Sequence, residues 1–230
     1  MTAALTYRAP AISLGGRLVL RDVTFHATPG EFVAIAGPNG AGKTTMLKGL
    51  AGLLPGGHPD PGRTAYVPQG ASCAWPMTIR EVAGLGRILR PGDSTGAVDK
   101  ALASCGLLDL ATRRIDQVSG GQARRAMLAR ALAAEPSILL LDEPVADLDP
   151  AAALDVMRLL ATFAAGGGLV VAVLHALELA TQFATRLVVL AEGRIIADGP
   201  VAQALPAAAH AFGMAVSPNP QPLLVPPQPG

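Results

Sequence analysis

Two cysteines in 230 residues, Cys73 and Cys105, lie far apart and outside any C-x-x-C or Cys/His spacing. A disulfide framework and a structural zinc site are therefore not expected, and a reducing compartment suits the chain. No charge sign dominates: 18 basic residues stand against 17 acidic ones, net +1, and the basic residues are scattered. Nothing in that balance advertises nucleic acid. Long apolar runs are also missing. Half of the residues are hydrophobic, but the strongest runs, Leu169 to Leu174 and Leu187 to Ala191, are strand-sized, far short of the roughly 18 to 20 residues a spanning helix needs. The opening MTAALTYRAP carries no secretory pattern. The expectation is a protein that stays inside the cell and reaches a membrane only if another chain holds it there.

What is present is alternation. Short strand-like runs cover Ile12 to Leu14, Leu18 to Leu20 and Val23 to Ala27, with turns at Gly15-Gly16 and Pro29-Gly30. Phe32 to Ala36 is apolar at consecutive positions, as in a strand buried on both faces. A helix is predicted from Gly42 to before Gly56-Gly57, and a strand over Thr64 to Val67. From about 72 to 135 strands give way to helices: Thr78 to Glu81 fits a capping box, Ala97 to Ser104 a second helix, and QARRAMLARALAA a third. Next come a strand over Ile138 to Leu141 and a helix with Asp149 as N-cap and Pro150 at its first position. A strand over Leu169 to Leu174, a short helix over Leu177 to Phe183 and a hairpin turning at Glu192-Gly193 complete the pattern. This predicts an α/β fold with a largely parallel sheet, an N-terminal antiparallel portion and a helical insertion. We expect one domain over 1–216 and a proline-rich tail over 217–230 without regular structure.

Gly37, Pro38, Asn39, Gly40, Ala41, Gly42, Lys43, Thr44 and Thr45 form G-x-x-x-x-G-K-T between a buried strand and a helix. Its glycines let successive N–H groups turn toward phosphates, the helix start adds its dipole, Lys43 adds a charge near the β and γ groups, and Thr44 offers a hydroxyl to Mg²⁺. The loop alone fits kinases, GTPases, helicases and other machines. Asp142, ending an aliphatic strand that a neighbouring parallel strand would bring beside this loop, suits Mg²⁺, and Glu143 can polarise an attacking water. Ser119, Gly120, Gly121 and Gln122, at the head of a long helix, build a second phosphate-facing N-terminus. One nucleotide does not ordinarily use two such sites, so the second is expected to serve the nucleotide of a partner copy.

In that order these motifs resemble the nucleotide-binding subunits of ABC transporters, with the similarity running from Ile12 to about Gly199. The resemblance implies ATP and Mg²⁺ as ligands. It assigns Walker A to Gly37 through Thr45, the signature to Ser119 through Gln122 after Val118, Walker B to Ile138 through Asp142, and the catalytic base to Glu143. It further implies a D-loop at Ala146 to Asp149, Asp149 facing nucleotide, a switch histidine at His175, and Gln69 reaching Mg²⁺ and the attacking water. Without the match, Gln69 and His175 would be unremarkable; His26, His58 and His210 stay surface or packing residues. The chain departs from the pattern at Leu14, where an aromatic ring commonly stacks on adenine, at Ala176, commonly aspartate, and mildly at Val118.

The resemblance implies a head-to-tail pair of cassettes, of this chain or of a paralogue, working on permease subunits at the cytoplasmic membrane face with a separate substrate-binding protein. The run Ala74 to Val82 with Leu85-Gly86-Arg87 is similar to cassettes of iron-siderophore, haem and cobalamin importers. Zinc or manganese importers are the nearest rival. A soluble DNA-repair or ribosomal ABC protein is disfavoured by the single cassette, and a P-loop kinase by the signature helix.

Overall fold

The computed structural model describes residues 5–60, 62–88, 94–213, 215–216 and 224–225. The chain opens with a two-stranded antiparallel ribbon, β1 (Leu5–Leu14) and β2 (Arg17–Ala27). Its register shifts at Ile12/Ser13. A six-stranded sheet follows in the order β4-β5-β6-β3-β7-β8, formed by β3 (Phe32–Ala36), β4 (Thr64–Val67), β5 (Ile138–Asp142), β6 (Leu169–Val173), β7 (Arg186–Ala191) and β8 (Arg194–Pro200). All neighbours are parallel except β7 and β8. Those two join through Glu192 (φ 49) and Gly193 (φ 76), the pair of positive φ angles a tight hairpin demands.

Period-two alternation divides the sheet between two cores. Phe32, Ala34, Leu139, Leu141, Val170 and Ala172 face one core, shared with the helical segment, α5 (Pro150–Ala165) and α7 (Val201–Ala211). Val33, Ile35, Ile138, Leu140, Val171 and Val173 face the other, closed by the ribbon and α1 (Lys43–Leu50). Both faces are covered, which is why β3, β5 and β6 read as unbroken apolar runs. Each fully buried Leu or Val contributes about 1.5–3 kcal/mol.

Between β4 and β5 the described residues are helical or irregular: α2 (Ile79–Gly84), α3 (Ser94–Ser104) and α4 (Gly120–Ala133). The Thr78 hydroxyl accepts from Glu81 N and the Glu81 carboxylate accepts from Thr78 N, completing the predicted box. Both cysteines are free. α6 (Leu177–Phe183) matches its predicted span.

The structure differs from expectation in five places. β1 and β2 are longer than the predicted runs: Leu5 to Ala9 extend β1 with buried and exposed residues in alternation, and β2 continues through Arg21 and Asp22 (φ 50), two successive exposed residues that break its period. α1 ends at Leu50 rather than near Gly56, since Gly52 takes φ 72 and leaves the helix. α7 is an additional helix with Pro206 inside it. Asp142 does lie beside the glycine-rich loop, but not on the adjoining strand: β6 runs between β5 and β3. Of the tail predicted over 217–230, Leu224–Val225 pairs antiparallel with Ala215–Val216; its other residues lie outside the described residues.

Candidate active site

The carboxyl ends of β4, β5, β6 and β3 open onto a cleft of about 670 Å³ lined by Val19, Asn39, Gly40, Gly42, Lys43, Thr44, Thr45, Gln69, Glu143 and His175. Ligands of open α/β sheets bind outside these strand ends. At the floor the loop folds back on itself. Gly37 (φ 146) passes so close to β7 that a Cβ there would stand 2.0 Å from Leu190 O, and a Cβ on Gly42 (φ 100) would stand 2.6 Å from Leu20 Cδ2. Neither position tolerates a side chain. No side chain caps α1, so its first N–H groups remain free for an anion.

The Lys43 ammonium donates to Gly37 O at 2.7 Å and Pro38 O at 3.0 Å. It is 6% exposed, and burial lowers its pKa while the carboxylates of Glu143 and Asp142 oppose that fall. Its only hydrogen-bond partners among the described residues are neutral carbonyls, an arrangement that favours a polyanion beside it. Thr44 Oγ1 donates to Asp142 Oδ1 at 3.2 Å. Asp142 is buried, and its carboxyl pKa is raised, by burial first and by Glu143 as well, despite the Thr44 hydrogen bond.

Thr44 and Asp142 suit Mg²⁺: hard oxygen donors, one a carboxylate that a dication would keep ionised. Among the described residues no three His, Cys, Asp or Glu gather into a metal cage.

Glu143 sits one residue past β5 with φ 52, a left-handed setting unusual without glycine. The turn aims its carboxylate into the cleft, where Gln69 Nε2 donates to Oε2 at 2.8 Å and His175 Nε2 lies 2.6 Å from Oε1. Three predicted residues from three strand ends thus meet at one carboxylate. Such a cluster can hold a water and take its proton.

Other predicted residues lie elsewhere. Ser119 Oγ accepts from Gln122 N and Gln122 Oε1 from Ser119 N, closing a capping box on α4. Ser119 and Gly120 are exposed, Gly121 and Gln122 are half-buried, and none of the four lines the cleft. Asp149 accepts from Ala152 N at 2.9 Å as the N-cap of α5. Ala41 is buried beneath the loop, and Leu14 is 43% exposed on the ribbon. Sequence reasoning missed Val19, which lies within the predicted Leu18 to Leu20 run but reaches the cleft from the ribbon, across the fold.

A family model described as ABC transporter matches residues 20–146. The hemin import ATP-binding protein HmuV of Rhizobium etli is 37% identical over 222 residues, covering 85% of this chain and 84% of that protein. The protein of the same name from Nocardia farcinica is 42% identical over 205 residues, 80% and 71% of the two chains. A solved metal-chelate type ABC transporter in an inward-facing conformation superposes with TM-score 0.84 at 22% identity, over 99% of this chain and 98% of that one. An ATP-binding cassette of an ABC transporter in its ADP conformation gives 0.77 at 23%, over 92% and 98%. The cleft's lysine, buried aspartate and glutamate cluster now have a shared setting: this chain belongs to the ABC transporter family, as an ATP-hydrolysing component that couples hydrolysis to transport.

Proposed function

We propose that the chain powers import of a metal chelate, haem foremost, by binding and hydrolysing ATP on behalf of separate permease subunits at the cytoplasmic membrane face. The meeting of Gln69, Glu143 and His175 beside Lys43 carries the hydrolytic part of this reading. The similarity to hemin import ATP-binding proteins, over 80% to 85% of this chain, supports the cargo. Among the described residues no helix is long and apolar enough to cross a membrane, so a membrane role needs partner subunits.

The hydrolytic roles follow from position. Backbone N–H groups of Asn39 to Thr45 and the Lys43 ammonium bind the phosphates and offset the charge that gathers on the γ group. Thr44 and Asp142 would hold Mg²⁺, which would supply positive charge against the phosphates. Glu143 orients the attacking water and accepts its proton; Gln69 and His175 fix the carboxylate's direction from either side. His175 also faces the same cleft as Lys43 and adds a donor near the transferred group. Ser119, Gly120, Gly121 and Gln122 bind the nucleotide of a second cassette, this chain's own copy or a paralogue. Asp149 stands at that same junction. Each complete site then needs two chains, and release of phosphate lets them part.

Glu143→Gln tests the mechanism: with ATP the variant should elute as a dimer and hydrolyse about 10²–10⁴-fold more slowly. A monomer that still hydrolyses would overturn it. The cargo is tested by uptake of hemin, ferric siderophore, cobalamin and zinc in a strain lacking the chain. Loss of hemin uptake alone is the expected result; loss of zinc uptake alone would overturn the metal-chelate reading.

A further inference from the structure

Outside the cleft, one largely buried cation plays no part in the reaction as described. Arg124 stands in the second turn of α4, two residues beyond the Ser119–Gln122 box, with its side chain 13% exposed. Nη2 donates to Ala146 O at 3.4 Å and lies 3.8 Å from Asp147 Oδ2, while Nη1 is buried with no hydrogen-bond partner among the described residues. An unpaired buried donor is costly, and this guanidinium has a donor to spare for one more acceptor.

The segment it touches is strained. Between Glu143 and Asp149 two residues without glycine's freedom, Glu143 (φ 52) and Asp147 (φ 62), take left-handed conformations. Ala146 N donates to Glu143 O at 3.2 Å and Leu148 N to Val145 O at 3.3 Å, winding the segment into consecutive turns. α4 meets it twice. A Cβ on Gly121 would lie 3.4 Å from Leu148 Cδ2, and Arg124, three residues on and so on the same helix face, reaches Ala146. Asp147 projects outward, its side chain 96% exposed, with Oδ2 3.8 Å from Arg124 Nη2.

We propose that Arg124 is a positioning residue that ties the head of α4 to the Glu143–Asp149 turn, so that a nucleotide seated on Ser119–Gln122 resets Glu143 in the same chain's own cleft. This rests on the reading that Ser119–Gln122 serve a second cassette. Arg124 touches no reacting atom. It makes the two half-sites of one chain sense each other, with the Arg124–Asp147 pair closing when α4 is loaded and the turn beneath it settling Glu143.

The test is the ATP dependence of turnover by the full chain, with thermal melts alongside. Arg124→Ala should lower kcat about 10-fold and bring the Hill coefficient for ATP below that of the native chain, toward 1, with KM changed less than about twofold. Asp147→Asn should act in the same direction but less, and the double variant should be no worse than Arg124→Ala alone. Native kcat and cooperativity in Arg124→Ala, or additive losses in the double variant, would overturn the proposal. If Arg124→Ala does not fold, Asp147→Asn decides: the exposed substitution must lower cooperativity, and native behaviour sinks the coupling. Gel filtration of Glu143→Gln with ATP separates the two layers of argument. A dimer there with unchanged cooperativity in Arg124→Ala removes only the coupling, whereas no dimer removes the paired site itself.

Discussion

The two phosphate-facing helix starts differ in how they are held. At α1 the loop is locked by contacts from across the fold: Gly37 against Leu190 O, Gly42 against Leu20, Lys43 on Gly37 O and Pro38 O, Thr44 on Asp142. The start of that helix has no side-chain cap. At α4 the reverse holds: Ser119 and Gln122 cap each other within four residues, and Ser119 and Gly120 stay exposed. A helix start whose donors are left open while its surroundings are rigid is prepared for a ligand supplied in solution. A helix start that is stable on its own, facing outward, is prepared for a ligand that arrives on another surface.

That contrast can be broken experimentally, most forcefully at Lys43. Lys43→Ala should cut turnover by about 10³-fold and weaken ATP binding to the single chain, read by titration calorimetry. If the single chain bound ATP as before, the α1 loop would not be the principal phosphate site. Gly37→Ala comes next, because the new Cβ overlaps Leu190 O. The loop must shift, and the melting temperature should fall together with ATP affinity; an unchanged melt would deny the locked loop.

Ser119→Ala sharpens the other side. Losing the cap should cost about 1 kcal/mol of stability, visible in a urea melt, while ATP affinity of the single chain stays as it was and ATP-driven dimerisation of the Glu143→Gln background is lost. Reduced affinity in the monomer would place Ser119 in its own chain's site.

The smallest effect lies far from both helix starts, and serves as a control. Burial pushes the Glu31 carboxyl up, but hydrogen bonds from Thr28 and Arg186 outweigh it and hold its pKa below the ordinary 4.5. A depressed folded pKa contributes stability that is complete above 4.5 and is lost as pH falls through the lower folded value. Glu31→Gln should therefore flatten the acid side of the stability curve by less than about 1 kcal/mol and leave turnover at neutral pH intact. A steeper acid loss in the variant would reverse the sign.

Much of the fold could be read from the chain because its strands are buried on both faces. Phe32–Ala36 and Thr64–Val67 stand at their predicted limits. The ribbon was harder, since the successive exposed residues Pro10-Ala11 and Arg21-Asp22 interrupt its two-residue period, and α7 was harder still, with Pro206 inside it reading as a helix breaker. At the site, the motif order identified Lys43, Thr44, Asp142 and Glu143. The meeting of Gln69 and His175 at one carboxylate depends on strand order, which no local spacing encodes. Val19 escaped for the same reason: it reaches the cleft from the ribbon, across the fold.

The sheet order β4-β5-β6-β3 also fixes the scale on which this enzyme can work. Gln69, Glu143, His175 and the glycine-rich loop follow four adjacent strands, so the row spans three strand spacings, roughly 14 Å at about 4.8 Å each. That pitch is set by backbone hydrogen bonding and is indifferent to side chains. The working groups are therefore mounted like teeth on a comb whose gauge mutation cannot alter. Variation that suits the chain to a different cargo has to accumulate away from that row, and the hydrolytic step can remain constant while everything it drives is exchanged.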